Sequence, residues 1–262
     1  MKFIAFVSAK GGTGRTTLAA NLGVILARAG HRVLVLDCDP QNTLGTHLGM
    51  PPGLRVGIAE GSSSSEIIEY LDAQQGVVPY IPFGTRDRND LQQAEGTLMA
   101  DPGWLRRRIL EIVPSGTELV LIDTPAGERV WTEHVVEMAH AIVGVHLPDA
   151  ACFATLPSMK VMLERRCRGN EMPPAVWHVL NQMEPRSELA RDAEFLLRQH
   201  LGERLVPCSV PRDPVVGEAW AQQQPVALHS PRTGAVAALR ELCEHLLAPH
   251  TDPKDTRLRV CG

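Results

Sequence analysis

The segment Lys10–Thr17, KGGTGRTT, holds the densest set of residues able to do chemistry. Gly11, Gly12 and Gly14, with Thr13 among them, let backbone N–H groups wrap an anion without Cβ clashes. The apolar run Phe3–Val7 precedes this loop and reads as a buried strand. The periodic run Leu18, Leu22, Ile25, Leu26, Ala29 follows it and reads as an amphipathic helix. The start of that helix adds unpaired N–H donors and a positive dipole end. Strand, glycine loop and helix start together form the context of a nucleotide phosphate cradle. Within it, the hydroxyl of Thr16 is placed to ligate Mg²⁺, and Thr17 sits near the first phosphate. Two features are unusual: an extra lysine, Lys10, at the front, and Arg15 where a lysine is expected.

Carboxylates and amides stand at the ends of other apolar runs. Asp37 and Asp39 follow RVLVLD (Arg32–Asp37), Asp123 ends LVLID (Leu119–Asp123), and Asn181-Gln182 follow VWHVL. In a parallel α/β sheet ligands bind at the carboxyl ends of strands. A magnesium-complexed triphosphate needs carboxylates near the metal and a group that orients water. Asp123 is the candidate metal group, as in a Walker B element. Asp39 is the candidate to position or deprotonate water, close to the same metal. The plainer role for any one of these acids is to cap a helix or end a strand.

The elements that must hold these residues alternate throughout. After a C-cap at Ala29-Gly30 and the second strand, residues 44–64 are rich in Gly, Pro and Ser. A short helix is expected at Glu66–Leu71, a strand at Val77–Pro82, and a helix from Asp101-Pro102 with Trp104, Leu105, Ile109, Leu110 and Val113 on one side. Further strands are expected at Ala141–His146, Val176–Asn181 and Leu205–Val210. Helices are expected near Thr132–Met138, Thr155–Arg166, Glu188–His200, Pro214–Gln222 and Thr233–Leu247. The pattern predicts an α/β fold, a doubly wound, mainly parallel sheet with helices on both faces, in one domain over residues 1–248. Residues 249–262 read as a polar, loose tail.

Composition narrows the class. With 262 residues, 44% hydrophobic and 21% charged, the chain is globular, and its net charge of −4 gives no general push towards nucleic acid or anionic lipid. No apolar stretch approaches the roughly 18 residues of a spanning helix. Strand one starts at once, so no signal peptide is expected. The six cysteines form no C-x-x-C pair, which points to a reducing cytoplasm and free thiols, most of them buried.

Four ordered motifs resemble the ParA/MinD-type ATPases. KGGTGRTT is similar to their deviant Walker A signature, KGG-x-G-K-(S/T)-T. DCDPQN resembles their acidic switch, IDTPAG their I-D-x-P-x-G element, and PRDPVVGEAWAQQQPVALHSPRTGAVAALREL their C-terminal pattern. The resemblance implies a P-loop NTPase fold, ATP and Mg²⁺ as ligands, and a homodimer when ATP is bound. It implies that Lys10 reaches the partner's phosphates, that Thr16 binds Mg²⁺, that Asp39 acts on water and that Asp123 holds the metal site. Asn181 and the segment Pro211, Arg212, Asp213 would contact adenine. PYIPFG (79–84), PDAACFATLP (148–157) and VLNQM (179–183) resemble, within that superfamily, the BcsQ/YhjQ group encoded with bacterial cellulose synthases. That resemblance implies a cytoplasmic accessory protein, peripheral at the inner membrane through other cellulose-secretion components. The alternatives are a partition-type ATPase that binds DNA non-specifically and a nucleotide-bound scaffold without catalysis.

Arg15 departs from the pattern. It keeps the charge of the usual lysine but is longer, planar and forked, so binding retained with slow hydrolysis is the expectation. Arg106–Arg108 read as a solvated helix face, and Arg165, Arg166 and Arg168 as cations at a helix end. The end DPKDTRLRVCG is too short and proline-broken for an autonomous membrane helix. The ten histidines show no ligand spacing and are expected mostly at the surface or in loops, and the four tryptophans in core or interface.

Overall fold

The computed structural model describes residues 1–51, 56–59, 69–70, 78–84, 87–167 and 173–248. Side chains alternate along β1 (Lys2–Val7). Phe3, Ala5 and Val7 enter one apolar cluster, Ile4 and Phe6 a second. A strand buried on both faces belongs in a covered parallel sheet. The chain continues through α1 (Arg15–Arg28), β2 (Val33–Asp37), α2 (Leu44–His47), β3 (Glu69–Tyr70) and β4 (Pro79–Ile81). Next come α3 (Arg88–Ala100), α4 (Trp104–Ile112), β5 (Leu119–Asp123), α5 (Val130–Met138) and β6 (Ala141–His146). The last elements are α6 (Ala150–Cys167), β7 (Ala175–Met183), α7 (Glu188–Leu201), β8 (Leu205–Pro211), α8 (Pro214–Ala221), α9 (Val226–His229) and α10 (Gly234–Leu247).

Among the described residues the sheet has eight strands, in the order β3-β4-β2-β5-β1-β6-β7-β8. Every pairing is parallel except the antiparallel edge pair of β3 with β4. From β1 the chain winds outward to β2 on one side and later to β6, β7 and β8 on the other, so β1 ends at the topological switch point. Residues of α1, α2, α8, α9 and α10 share one apolar cluster, and residues of α3 to α7 share the other. Gly23 shows how closely α1 sits on the sheet: a Cβ there would lie 2.5 Å from Val35 Cγ2.

Helix starts follow local chemistry. Asp87, Ser187, Asp213 and Thr233 each accept a backbone N–H in the first turn of α3, α7, α8 and α10, replacing partners the helix cannot supply itself. Pro214 at the start of α8 costs no hydrogen bond.

Several expectations are corrected. Glu69–Tyr70 is a strand, where a helix was expected over Glu66–Leu71; the rest of that segment, like the tail 249–262, lies outside the described residues. Edge pairing with β4 decides the matter for Glu69 and Tyr70. Helix α3 has a weak apolar pattern, burying only Ala94 and Leu98, and the sequence reading passed over it. Leu110 on α4 is exposed, while Leu105, Ile109 and Ile112 face the core. Strand β7 continues past the expected end at Asn181 to Met183, so Gln182 lies within it. His47, His134, His146 and His178 are buried. Histidine is neutral above its pKa and can be paired inside: His146 Nε2 and His178 Nδ1 are 2.9 Å apart across β6 and β7. Burial lowers the pKa of His146 to about 4 and that of His178 well below its ordinary value. The five described cysteines are free and buried. Trp131 and Trp177 are core residues, but Trp220 is half-exposed and stacks on His47.

Candidate nucleotide site

The loop between β1 and α1 projects from the carboxyl edge of the sheet. Gly12 (φ 76°) and Gly14 (φ 91°) occupy the left-handed region, which glycine adopts without a Cβ clash and which lets loop N–H groups turn towards one anion. At Gly14 the space is closed as well, since a Cβ there would stand 2.2 Å from Asn181 Nδ2. Gly14 is also the N-cap of α1 and offers no side chain to the helix start, so the first-turn N–H groups stay available to an anion.

Adjacent strands deliver the acids. Asp37 and Asp123 are register partners at the ends of β2 and β5, and both are fully buried. Thr16 Oγ1 donates to Asp123 Oδ2 at 2.6 Å. Asp123 Oδ1 is buried with no hydrogen-bond partner. Burial pushes the Asp123 carboxyl up to about 7 against the opposing pull of Arg15 and Thr16. Asp37 is raised well above the carboxylate range by burial and by Asp123. Its two oxygens accept the N–H groups of Asp39 (2.9 Å) and Leu44 (3.1 Å), and so it ties down both ends of the acidic segment. Asp39 Oδ1 accepts from Gln41 N at 2.9 Å.

Arg15 is buried among these groups rather than extended into solvent. Its Nε donates to the Thr124 carbonyl at 3.0 Å, and its Nη1 donates to Ser8 Oγ and to the Lys10 carbonyl. Its Nη2 lies 4.0 Å from Asp39 Oδ2 and its Nε 4.0 Å from Asp123 Oδ1. The guanidinium therefore serves as internal counter-charge to the acids. Burial lowers its pKa, and Asp123 and Asp39 oppose that shift.

Lys10 forms an ion pair within its own chain, Nζ to Asp149 Oδ2 at 2.6 Å, and this bond raises its pKa. Asp149 also accepts from Cys152 N through Oδ1 at 2.7 Å, in the first turn of α6. Beside the loop opens a cleft of roughly 360 Å³, lined by Gly14, Thr17, Asn181, Gln182, Pro211, Arg212 and Asp213 with apolar walls from Leu18, Val210 and Val216. The structure thus gathers the residues singled out in the sequence along one edge. Two of them carry structural duties there. Asp213 caps α8 through Val215 N at 3.1 Å, and Arg212 pairs with Glu184 outside the cleft.

Ser8, Asn21 and Asp149 were not singled out in the sequence, and Gln182 was named only as part of a polar strand end, with no contact to the loop expected of it. Asn21 is buried in α1, donates to the Thr17 carbonyl at 2.8 Å and accepts from Ala227 N at 3.1 Å, joining the loop helix to α9. A lone Asn or Asp in a helix or loop has no sequence signal for such contacts.

The residues present fit a hard cation. Thr16, Asp39 and Asp123 bring oxygen donors to one edge of the sheet, and Asp123 Oδ1 is buried without a hydrogen-bond partner among the described residues, with Arg15 Nε 4.0 Å away. Among the described residues no cluster of three or more His, Cys, Asp or Glu forms a complete metal cage. Magnesium in phosphate sites characteristically takes only one or two carboxylates.

A family model described as "Cellulose biosynthesis protein BcsQ" matches residues 1–247. The chain belongs to that family. Its relatives are ParA/MinD-type ATPases. The chain is 29% identical over 253 residues to the chromosome-partitioning ATPase Soj of Thermus thermophilus, covering 94% of this chain and 95% of that one. It is 28% identical over 260 residues to the chromosome partitioning protein ParA of Caulobacter vibrioides, covering 96% of each. Its fold matches the septum site-determining protein MinD of Pyrococcus horikoshii, solved with Mg-ADP, at 25% identity and TM-score 0.73, over 94% of this chain and 96% of that one. No helix among the described residues is long and apolar enough to cross a membrane.

Proposed function

We propose that this BcsQ-family chain is an ATP-operated dimeric switch that serves assembly or positioning of the bacterial cellulose-secretion machinery. Residues 1–248 act as one nucleotide-binding domain. The observation that carries the reading is the bond from Thr16 to Asp123 beneath a phosphate loop whose N–H groups are left free. Gly11, Gly12, Thr13, Gly14 and the first turn of α1 would hold phosphate. Thr16 and Asp123, with Asp39, would hold Mg²⁺, which when bound supplies charge neutralisation to the phosphates. Asn181 and Pro211–Asp213 line the cleft for adenine. Asp39 orients and accepts a proton from water. Lys10 acts across the dimer.

Arg15 supports slow turnover. Its Nε and Nη1 already serve Thr124, Ser8 and Lys10, so less of the guanidinium is free to follow developing charge on phosphate. Loss of one such donor typically costs about 10²–10³ in rate. A long-lived bound state suits a switch whose output is recruitment, with the protein cytoplasmic and reaching the inner membrane through partners.

The partition relatives favour a second reading, non-specific DNA binding by the ATP dimer. The basic end of α6 speaks against it as the DNA face, because Arg165 pairs with Glu128 and Glu133, and Arg166 with Glu133 and Glu137.

A chromosomal Thr16→Ala replacement tests the leading reading. Secreted cellulose should fall severalfold while the protein remains folded and abundant. Undiminished cellulose, or an ATP-dependent, salt-sensitive DNA shift by the purified protein, would favour the alternatives.

A further inference from the structure

Strand β7 carries an irregularity that the nucleotide reading does not use. Leu180 pairs with Ser209 and Met183 with Pro211. Three steps along β7 therefore match two along β8, and Asn181 and Gln182 together stand opposite Val210. This is a β-bulge, and Gln182 adopts φ 57° within it. Glutamine rarely takes that conformation, since its Cβ crowds the following carbonyl. Among the described residues, the other two non-glycine positive-φ positions have local reasons. Asn42 is a type that tolerates the region, and Gln223 ends α8. Gln182 has neither.

The bulge has a geometric consequence. In a regular strand two successive side chains point to opposite faces. Here both amides reach the same loop: Asn181 Nδ2 donates to the Thr13 carbonyl at 2.7 Å and Gln182 Nε2 donates to the Gly12 carbonyl at 3.2 Å. Each peptide plane of the loop carries a carbonyl on one side and the next residue's N–H on the other. Holding the carbonyls of Gly12 and Thr13 from outside holds the N–H groups of Thr13 and Gly14 in a fixed direction. At Gly12 the space an added Cβ would enter is open, with no atom of the described residues within 4 Å, so no side chain among them packs against that side of the residue.

We propose that Gln182 is a positioning residue of the phosphate loop. The β7 bulge turns its amide, beside that of Asn181, onto two consecutive loop carbonyls, which pre-sets the loop for a nucleoside di- or triphosphate. This rests on the nucleotide reading above and adds a residue to it. Strain at Gln182 is retained because a relaxed strand would withdraw the second amide.

The test uses the full-length protein, Gln182→Gly and Gln182→Asn. Glycine relieves the backbone and deletes the amide, and asparagine tolerates the backbone but is one methylene short. Both variants should melt at or a few degrees above the wild-type temperature. Both should bind MgADP roughly three- to tenfold more weakly in calorimetry. Without nucleotide, hydrogen exchange at the Thr13 and Gly14 amides should quicken by a similar factor. Unchanged MgADP affinity and unchanged exchange in both variants would overturn the proposal and leave the nucleotide reading intact. So would a loss in the glycine variant alone, which would mark backbone looseness as the cause. No uptake of MgADP by the wild type would overturn both.

Discussion

Asp37 and Asp123 sit side by side as register partners on β2 and β5, each fully buried. Two neighbouring carboxyls out of water cannot both ionise cheaply, and burial leads the upward shift at each. A carboxyl whose folded pKa is raised holds its proton in the fold after the unfolded chain has lost it. The stability this contributes is complete below the unfolded value, 3.8, and is lost as pH rises through about 7. In Asp123→Asn the neutral amide removes that loss. Thermal melts of the nucleotide-free protein should show a flatter decline between about pH 4 and 7, and a melting temperature at pH 8 that is higher by a few degrees. A wild-type slope in the variant would show that Asp123 does not titrate in this window. Magnesium-dependent nucleotide binding should weaken in the same variant.

Arg15 is the next point of attack. Arg15→Lys exchanges a fork fixed on Thr124, Ser8 and Lys10 for a compact, mobile charge. Single-turnover ATP hydrolysis should quicken by about tenfold or more, with MgADP affinity within a few-fold of wild type. Hydrolysis that stays as slow with lysine would mean that another group limits the rate.

The proposed dimer would require Lys10 to leave Asp149. The 2.6 Å ion pair holds Lys10 against its own α6, so engagement of a second protomer must replace that bond. Lys10→Ala should abolish ATP-dependent dimerisation in light scattering. Asp149→Asn keeps an oxygen for Cys152 N but gives up the charge, so ATP-dependent dimerisation should persist or tighten a few-fold. A dimer that forms equally well without Lys10 and without nucleotide would remove the cross-subunit role.

Much of this was legible in the sequence, and for physical reasons. Strands such as Leu119–Asp123 and Ala141–His146 are apolar runs bounded by turns, and the glycines of the loop have no other good use. Residues acting through backbone contacts were not legible. Asp149 looks like an ordinary cap, and nothing in the string NQM announces a bulge that turns Gln182 onto Gly12. Burial of His146 and His178 escaped notice because each relies on the other, 32 residues away, for its hydrogen bond. Helix α3 was missed because only Ala94 and Leu98 face the core. Arg15 was visible as an anomaly, but its place between Asp39 and Asp123 depends on three strands meeting.

On the proposed function, the phosphate loop takes up magnesium-complexed adenine nucleotide. Titration calorimetry of MgATP into the folded wild-type protein, alongside Thr16→Ala, tests it most directly. One nucleotide per chain should bind, the affinity should fall when magnesium is chelated, and Thr16→Ala should lose most of that magnesium dependence. Well-folded wild-type protein that gives no binding heat at several temperatures, with or without magnesium, would contradict the account.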